Sequence, residues 1–406
     1  IEGRDPGFKN DTDGGSVFLK NFALELTRRN NCVDIFAPLD VSGSIYDVNK
    51  IINTGQDFFD KHLSNLKVHR FLVSYDTLVY KNNKSEDYFL HRIDLSLRMG
   101  DYFNDKKLFS YDLIFILHTA NAFGILERNA SPLNKTILFP MMTVPTYKLF
   151  NEVPKEYIDM EKKVFEKIKH VSSPSDYEIA IIIDFYGISK EKIFKTNRGY
   201  DINIFKCLER VSIKSKDTIY LFSANGIRPR KNHLFFVPLV KELLKHSINV
   251  HVRLTGNNGN NYKYVYNEYA KEFWQEVRIN GLEKYFTAYG IVSELELNDI
   301  MLISDIAIYP STAETFGKSS LESMASGLPT IVGNNIKAYD EFIINEETGV
   351  SVDLKPEVFA QKIIKLINDN EYYNKLSNNG IQHGLLFTWK KVIDDFFLEL
   401  TNRNIF

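Results

Sequence analysis

The chain has 406 residues, 44% of them hydrophobic and 25% charged, with a formal net charge of −2. That length exceeds the ~250–300 residues at which a single hydrophobic core stops growing, so two domains are expected, and the near-neutral charge gives no global attraction to nucleic acid. No run approaches the ~20 apolar residues of a membrane-spanning helix, and two cysteines, Cys32 and Cys207, make no disulfide framework; they suit a reducing, cytoplasmic compartment and are expected as small core residues.

The first residues, Ile1-Glu2-Gly3-Arg4, read as a protease-cleavage scar rather than a secretory signal. A Gly-rich stretch, Asp11-Thr12-Asp13-Gly14-Gly15, then opens a helical pattern from Ser16 to Arg29. Strand-like runs follow at Val33–Ala37, Lys67–Val73, Asp112–Leu117, Thr136–Phe139 and Ile168–Ser173, each short and rich in β-branched or aromatic residues, as buried parallel strands are. The second half repeats the theme. Strands are expected at Thr218–Ser223, Val250–Thr255, Phe286–Gly290, Ile306–Tyr309 and Pro329–Gly333, with helices at Leu234–Lys245, Leu295–Ile303, Ser319–Ser326 and Pro356–Asn368. Trp389, Val392, Ile393, Phe396 and Leu400 fall on one face of a closing, core-packing helix. The alternation predicts an α/β protein of two Rossmann-like parallel-sheet domains, residues 1–205 and 206–385, with a helix at 386–406 that packs back on the first.

The most informative run is Ser311-Thr312-Ala313-Glu314-Thr315-Phe316-Gly317-Lys318-Ser319-Ser320-Leu321-Glu322. A strand ends at Pro310, a polar loop carries Glu314, and Gly317 lets the backbone turn closely before a helix begins. A helix start presents unpaired N–H groups and partial positive charge, which suits a phosphate. Glu322, a turn inside that helix, is placed to reach hydroxyls beside it. Upstream, Asn225-Gly226-Ile227-Arg228-Pro229-Arg230-Lys231 is a cationic loop between a strand and a helix, suited to a departing diphosphate.

With its continuation Ser323-Met324-Ala325-Ser326-Gly327-Leu328-Pro329, the run resembles the donor-site signature of family 4 retaining glycosyltransferases, whose fold is GT-B: two Rossmann-like domains facing a cleft. The resemblance implies that Glu314 grips a hydroxyl of the donor sugar and Glu322 the ribose hydroxyls. The backbone from Thr315 through Phe316, Gly317, Lys318 and Ser319 to Ser320 would hold the sugar and diphosphate. Lys231 matches the family's phosphate-binding lysine; Asn225 occupies the usual arginine position, so that role passes to Arg228. Gly14 and Gly15 match the N-terminal glycine loop, and Asp11-x-Asp13 is therefore not read as a metal motif. His118, at the carboxyl end of a strand, matches a histidine that contacts the donor sugar. Tyr200-Asp201 and Phe205 resemble the segment joining the domains, with Arg198 where Asn is usual, and Glu341 matches a further carboxylate although Lys337-Ala338 replaces the usual Gly-Gly ahead of it.

These matches imply a metal-independent hexosyltransferase with no cofactor. Its donor would be a UDP- or GDP-sugar, and its acceptor a glycan, a lipid-linked sugar or a small sugar, in bacterial surface glycan synthesis at or near the inner membrane face. Tyr102, Phe103, Phe139, Tyr147 and Phe150 are suited to stacking on an acceptor sugar, although residues of this kind more often pack in a core. The competing readings are a catalytically silent nucleotide-sugar-binding subunit, and an epimerase or sugar-phosphate glycosyl synthase on the same fold. Oligomeric state is not legible.

Overall fold

A computed structural model describes residues 14–40, 64–73, 85–104, 108–149, 151–208, 210, 212–256 and 267–406. The elements run α1 (Gly14–Arg28), β1 (Val33–Asp40), β2 (Leu66–Val73), α2 (Ser85–Asn104), β3 (Ile114–Leu117), α3 (Thr119–Glu127), β4 (Thr136–Phe139), α4 (Val144–Tyr147), α5 (Lys155–Lys167), β5 (His170–Ser173), α6 (Asp176–Tyr186) and β6 (Ile193–Lys195). They continue β7 (Ile219–Ala224), α7 (Phe236–Lys245), β8 (Val250–Thr255), α8 (Asn267–Ile279), β9 (Phe286–Ala288), α9 (Glu294–Leu302), β10 (Ile306–Tyr309), α10 (Lys318–Ala325), β11 (Thr330–Gly333), β12 (Val350–Val352), α11 (Pro356–Asn368), α12 (Asn370–Gly384) and α13 (Trp389–Asn402).

Two compact units result: one holds the chain up to Arg198 together with Val392–Phe406, the other Gly199–Lys391. The second unit begins ahead of Phe205 because Tyr200 forms a parallel bridge with Thr388, and the Trp389 ring lies against Gly199. In the first unit β1 pairs with β2, and β3-β4-β5-β6 lie in sequence order, all parallel. Ile116, Leu138 and Val171 from this sheet pack with Ile125 of α3 and Val164 and Phe165 of α5. Phe396 of α13 meets the rings of Phe22, Phe115 and Phe139 within the same unit.

The second unit has the parallel order β12-β11-β10-β7-β8-β9. Chain order therefore runs outward from β7 through β8 to β9, returns to β10 on β7's other side, and goes outward again. That reversal between β7 and β10 is the switch point of a doubly wound sheet, where loops diverge and leave a crevice. Leu221, Val252, Leu254, Ile306, Ile308 and Ile331 form its core with Leu239 and Val240 of α7 and Phe273 of α8.

Three expectations are corrected. Cys32 and Cys207 are exposed, not core. Phe103, Phe139 and Tyr147 are buried in packing rather than offered to an acceptor; Phe150 lies outside the described residues. Gly14 and Gly15 are the first residues of α1 itself and not a loop before it, while Asp11, Thr12 and Asp13 lie outside the described residues. Among the described residues no helix is long and apolar enough to cross a membrane.

Candidate functional site

The loops leaving β7 and β10 are stitched together at the switch point. After β7 the chain passes through Asn225, whose N–H donates to Thr255 O at 3.0 Å, and Pro229 opens a single 3₁₀ turn ending at Lys231. Proline suits that first position, since its missing N–H would have no partner there. Asn232 then adopts a left-handed backbone (φ 55), which asparagine tolerates better than most residues. After β10, Thr312 N–H donates to Arg230 O at 2.8 Å, and Arg230 Nη1 donates to Ala313 O at 3.3 Å.

This clamp brings two cations onto one carboxylate. Lys231 Nζ donates to Glu314 Oε1, Arg230 Nη1 donates to Glu314 Oε2 at 3.2 Å, and Ser311 Oγ donates to Glu314 Oε1 at 3.0 Å. Glu314 is 8% exposed. Burial alone would push its acidity weaker, but Lys231 and Arg230 hold its carboxyl below the usual range, so it stays ionised. Burial brings the Lys231 ammonium down to about 8; Glu314 opposes that fall and Arg230 and Arg228 add to it. The pair's shifts agree physically: one carboxylate cannot neutralise both cations, so the crevice carries excess positive charge in a poorly hydrated place.

The helix start beside it is shaped by Gly317. Its φ is +92, and a Cβ there would come 2.3 Å from Tyr339 Cε1. Glycine is thus required twice, by backbone conformation and by the Tyr339 ring. α10 begins at Lys318, with Ser320 Oγ donating to Gly317 O at 2.6 Å. The Phe316 side chain is buried against Phe342 and Phe387, so its side chain anchors the turn. Thr315 and Ser319 are partly exposed, and Ser319 O accepts from the Tyr309 hydroxyl at 2.9 Å. Glu322 is buried on α10 and accepts from Lys318 Nζ one turn earlier.

The sequence-derived residues thus fall into groups. Glu314 and Lys231 meet directly; Gly317 to Glu322 form the adjoining helix start; Arg228 precedes the 3₁₀ turn and acts on Lys231 through charge, while Arg230 makes the contact with Glu314. Arg230 was not singled out from sequence. The Pro229 that starts the turn was the available signal, because one 3₁₀ turn puts the next two residues together. Glu341 ends a short 3₁₀ segment, Lys337–Glu341, whose Tyr339 is the residue lying against Gly317. Gly14, Gly15 and His118 belong to the first unit. His118 caps α3 with φ 69, its Nδ1 is buried without a hydrogen-bond partner among the described residues, and burial, then Arg92 and Arg198, hold its pKa well below 6.5.

The sequence model described as "Glycosyl transferases group 1" matches residues 207–383, nearly all of the second unit's sheet and helices. Residues 207–383 are thus similar to a glycosyl transferases group 1 domain. Mannosylfructose-phosphate synthase of Agrobacterium fabrum is 22% identical over 97% of this chain and 87% of its own. D-inositol 3-phosphate glycosyltransferase of Stackebrandtia nassauensis is 23% identical over 58% and 54%. Among solved structures, sucrose-phosphate synthase from Thermosynechococcus elongatus superposes with a TM-score of 0.73 at 15% identity, covering 98% of this chain and 97% of that one. HepE of Anabaena in complex with UDP-glucose gives 0.67 at 15% identity, covering 97% of each chain. The match and the named relatives together identify the protein as a glycosyltransferase, and its two parallel-sheet units have the GT-B fold.

Proposed function

We propose that this glycosyltransferase moves a hexosyl group from a nucleoside-diphosphate sugar to an acceptor hydroxyl, with retention of configuration and without a metal ion. The observation that carries the reading is Glu314 bound by both Lys231 and Arg230 at the switch point, beside the Gly317 helix start. Surplus positive charge in a crevice is what a diphosphate needs. On donor binding, the diphosphate would take over Lys231 and Arg230, releasing Glu314 to accept a hydroxyl of the transferred sugar. Glu322 would hold the ribose hydroxyls, and His118 would contact the donor sugar as a neutral imidazole.

In the reaction the bond between the anomeric carbon and the leaving phosphate oxygen breaks as the acceptor oxygen bonds that carbon. The acceptor's proton passes to the departing phosphate on the same face. The transition state has oxocarbenium character, as in glycoside hydrolysis. Negative charge builds on the diphosphate, where Lys231, Arg230 and the α10 N–H groups would stabilise it; losing one such donor costs roughly 3 kcal/mol in the barrier.

The similar HepE of Anabaena is in complex with UDP-glucose, which favours a UDP-sugar for this chain. Cytoplasmic action on a surface-glycan precursor, in contact with the inner membrane face, completes the reading. Thermal shift with UDP, GDP, ADP and TDP identifies the nucleotide, and donor hydrolysis then separates a transferase from a silent binding subunit. Proton NMR of the product reads the linkage: an inverted anomer would falsify retention.

A further inference from the structure

The turn at Gly317 is backed by a tyrosine whose hydroxyl the packing leaves unmet. Tyr339 is 1% exposed, and among the described residues its hydroxyl has no hydrogen-bond partner. A tyrosine hydroxyl normally finds a partner when it is buried, and the fold loses stability when it does not. Two tyrosines of the same unit obey that rule. The Tyr309 hydroxyl donates to Ser319 O at 2.9 Å and lies 2.7 Å from Ser323 Oγ, and the Tyr373 hydroxyl donates to Asp305 O at 2.9 Å. Phenylalanine would fill the space beside Gly317 without an unmet polar atom, so packing does not account for the Tyr339 hydroxyl.

The side chain has little freedom to turn elsewhere. Its Cε1 edge lies against Gly317, and the Phe342 ring packs edge-on to it with centroids 6.1 Å apart. The backbone is held as well: Tyr339 N–H donates to Ile336 O at 3.1 Å, and Tyr339 O accepts from Ile343 N–H at 2.8 Å. So fixed, the tyrosine is acted on by the Ser311 hydroxyl and by the charges of Glu314 and Arg230, and its hydroxyl bonds none of them. Ser311 is fully buried and gives its one hydroxyl proton to Glu314 Oε1 at 3.0 Å, while its oxygen can still accept. Lys231, Arg230 and Ser311 thus all donate to Glu314. Once a diphosphate takes the two cations, the serine is the one donor of the three that stays. Burial then works against the ionised carboxylate that must accept a sugar hydroxyl.

We propose that Tyr339 is a positioning residue for Glu314: its hydroxyl donates to Ser311 Oγ when Lys231 and Arg230 turn to the diphosphate, and the resulting Tyr339–Ser311–Glu314 relay keeps the carboxylate aimed at the donor sugar. Hydrogen bonds in such a chain polarise one another, which strengthens the last of them. The inference rests on the glycosyl-transfer reading above and deepens it, giving the sugar a line of support separate from the cations that hold the diphosphate. All three residues lie in the second unit.

The test is isothermal titration of the full chain with UDP and, separately, with UDP-glucose. Tyr339→Phe should bind UDP within about twofold of wild type, because with UDP alone water fills the sugar's place and serves Glu314. It should bind UDP-glucose about tenfold more weakly, since the sugar displaces that water and draws on the relay. Without nucleotide, Tyr339→Phe should melt at or above the wild-type temperature, since it removes an unpaired polar group. Ser311→Ala should show the same selective loss, and the double variant should be no worse than Ser311→Ala alone, because the tyrosine acts through the serine. Unchanged UDP-glucose affinity in Tyr339→Phe, an equal loss for both nucleotides, or additive losses in the double variant overturns the inference. Failure of wild type to bind either nucleotide instead counts against the transfer reading.

Discussion

Arg230 Nη1 lies 3.2 Å from Glu314 Oε2, so Glu314 is shared between that guanidinium and the Lys231 ammonium. A carboxylate serving two cations cannot be removed as an ordinary surface acid can. Breaking a buried ion pair from one side costs about 3–5 kcal/mol, because the remaining charge stays buried. Glu314→Ala should therefore lower the melting temperature of the ligand-free protein and lose transfer at least a hundredfold. UDP should restore more melting temperature to this variant than it adds to wild type. A variant that melts like wild type and is not preferentially rescued would show that the cations do not depend on Glu314.

The Lys231 ammonium predicts a pH dependence. Burial brings it down to about 8, and a diphosphate would favour its charged form. Below that value the lysine is already protonated and nucleotide affinity should be flat. Above it, binding must take up a proton, and affinity should fall by up to about tenfold per pH unit until the bound-state pKa intervenes. Isothermal titration of UDP from pH 6.5 to 9.5 checks this, and Lys231→Arg should flatten the curve because arginine keeps its proton throughout.

Gly317 offers a steric prediction. Alanine there meets both a left-handed backbone and a Cβ 2.3 Å from Tyr339 Cε1. We expect Gly317→Ala to lose about 1–3 kcal/mol of stability from backbone strain alone and to abolish nucleotide-dependent stabilisation. Gly317→Ala combined with Tyr339→Leu should recover part of the packing loss and none of the backbone strain. Denaturant melts of the two variants separate these contributions.

Glu178 predicts the opposite pH sense from a paired surface carboxylate. Burial raises it from the ordinary 4.5 to about 7, so the folded state binds more protons than the unfolded chain between those values. Stability should accordingly fall as pH rises through that window, and the cost is complete above pH 7. Glu178→Gln should raise the melting temperature at pH 8 and change it little near pH 5. Equal shifts at both pH values would mean that Glu178 is not titrating in the fold.

Much of this architecture is legible in the residues. The runs Thr136–Phe139, Val250–Thr255 and Ile306–Tyr309 are strands with the bounds their apolar content suggests, because buried parallel strands need little besides β-branched and aromatic side chains. β6 and β12 are not legible in the sequence, since three residues leave no period to detect. Nor is α2: it buries Arg92 and Ser96 among its apolar residues, and Ser96 Oγ accepts from Gly124 N–H at 2.7 Å, so its inward face does not read as hydrophobic. At the site, Glu314 and Lys231 stand out by motif. Arg230 does not, because only the 3₁₀ turn at Pro229 decides which of Arg228 and Arg230 meets Glu314. Arg198 reads as a departure at one position of a joining segment; that one of its guanidinium nitrogens has no partner among the described residues emerges only from the packing around it.

The division of the chain has a consequence for biosynthesis. Phe22, Phe115 and Phe139 all lie far upstream in the sequence, yet the ring that completes their cluster, Phe396, is translated long after them. The amino-terminal unit must leave the ribosome with an apolar face still open and wait for α13 to seal it. A stop codon ahead of Phe396 should therefore injure the unit made first, acting at a distance of several hundred residues along the chain.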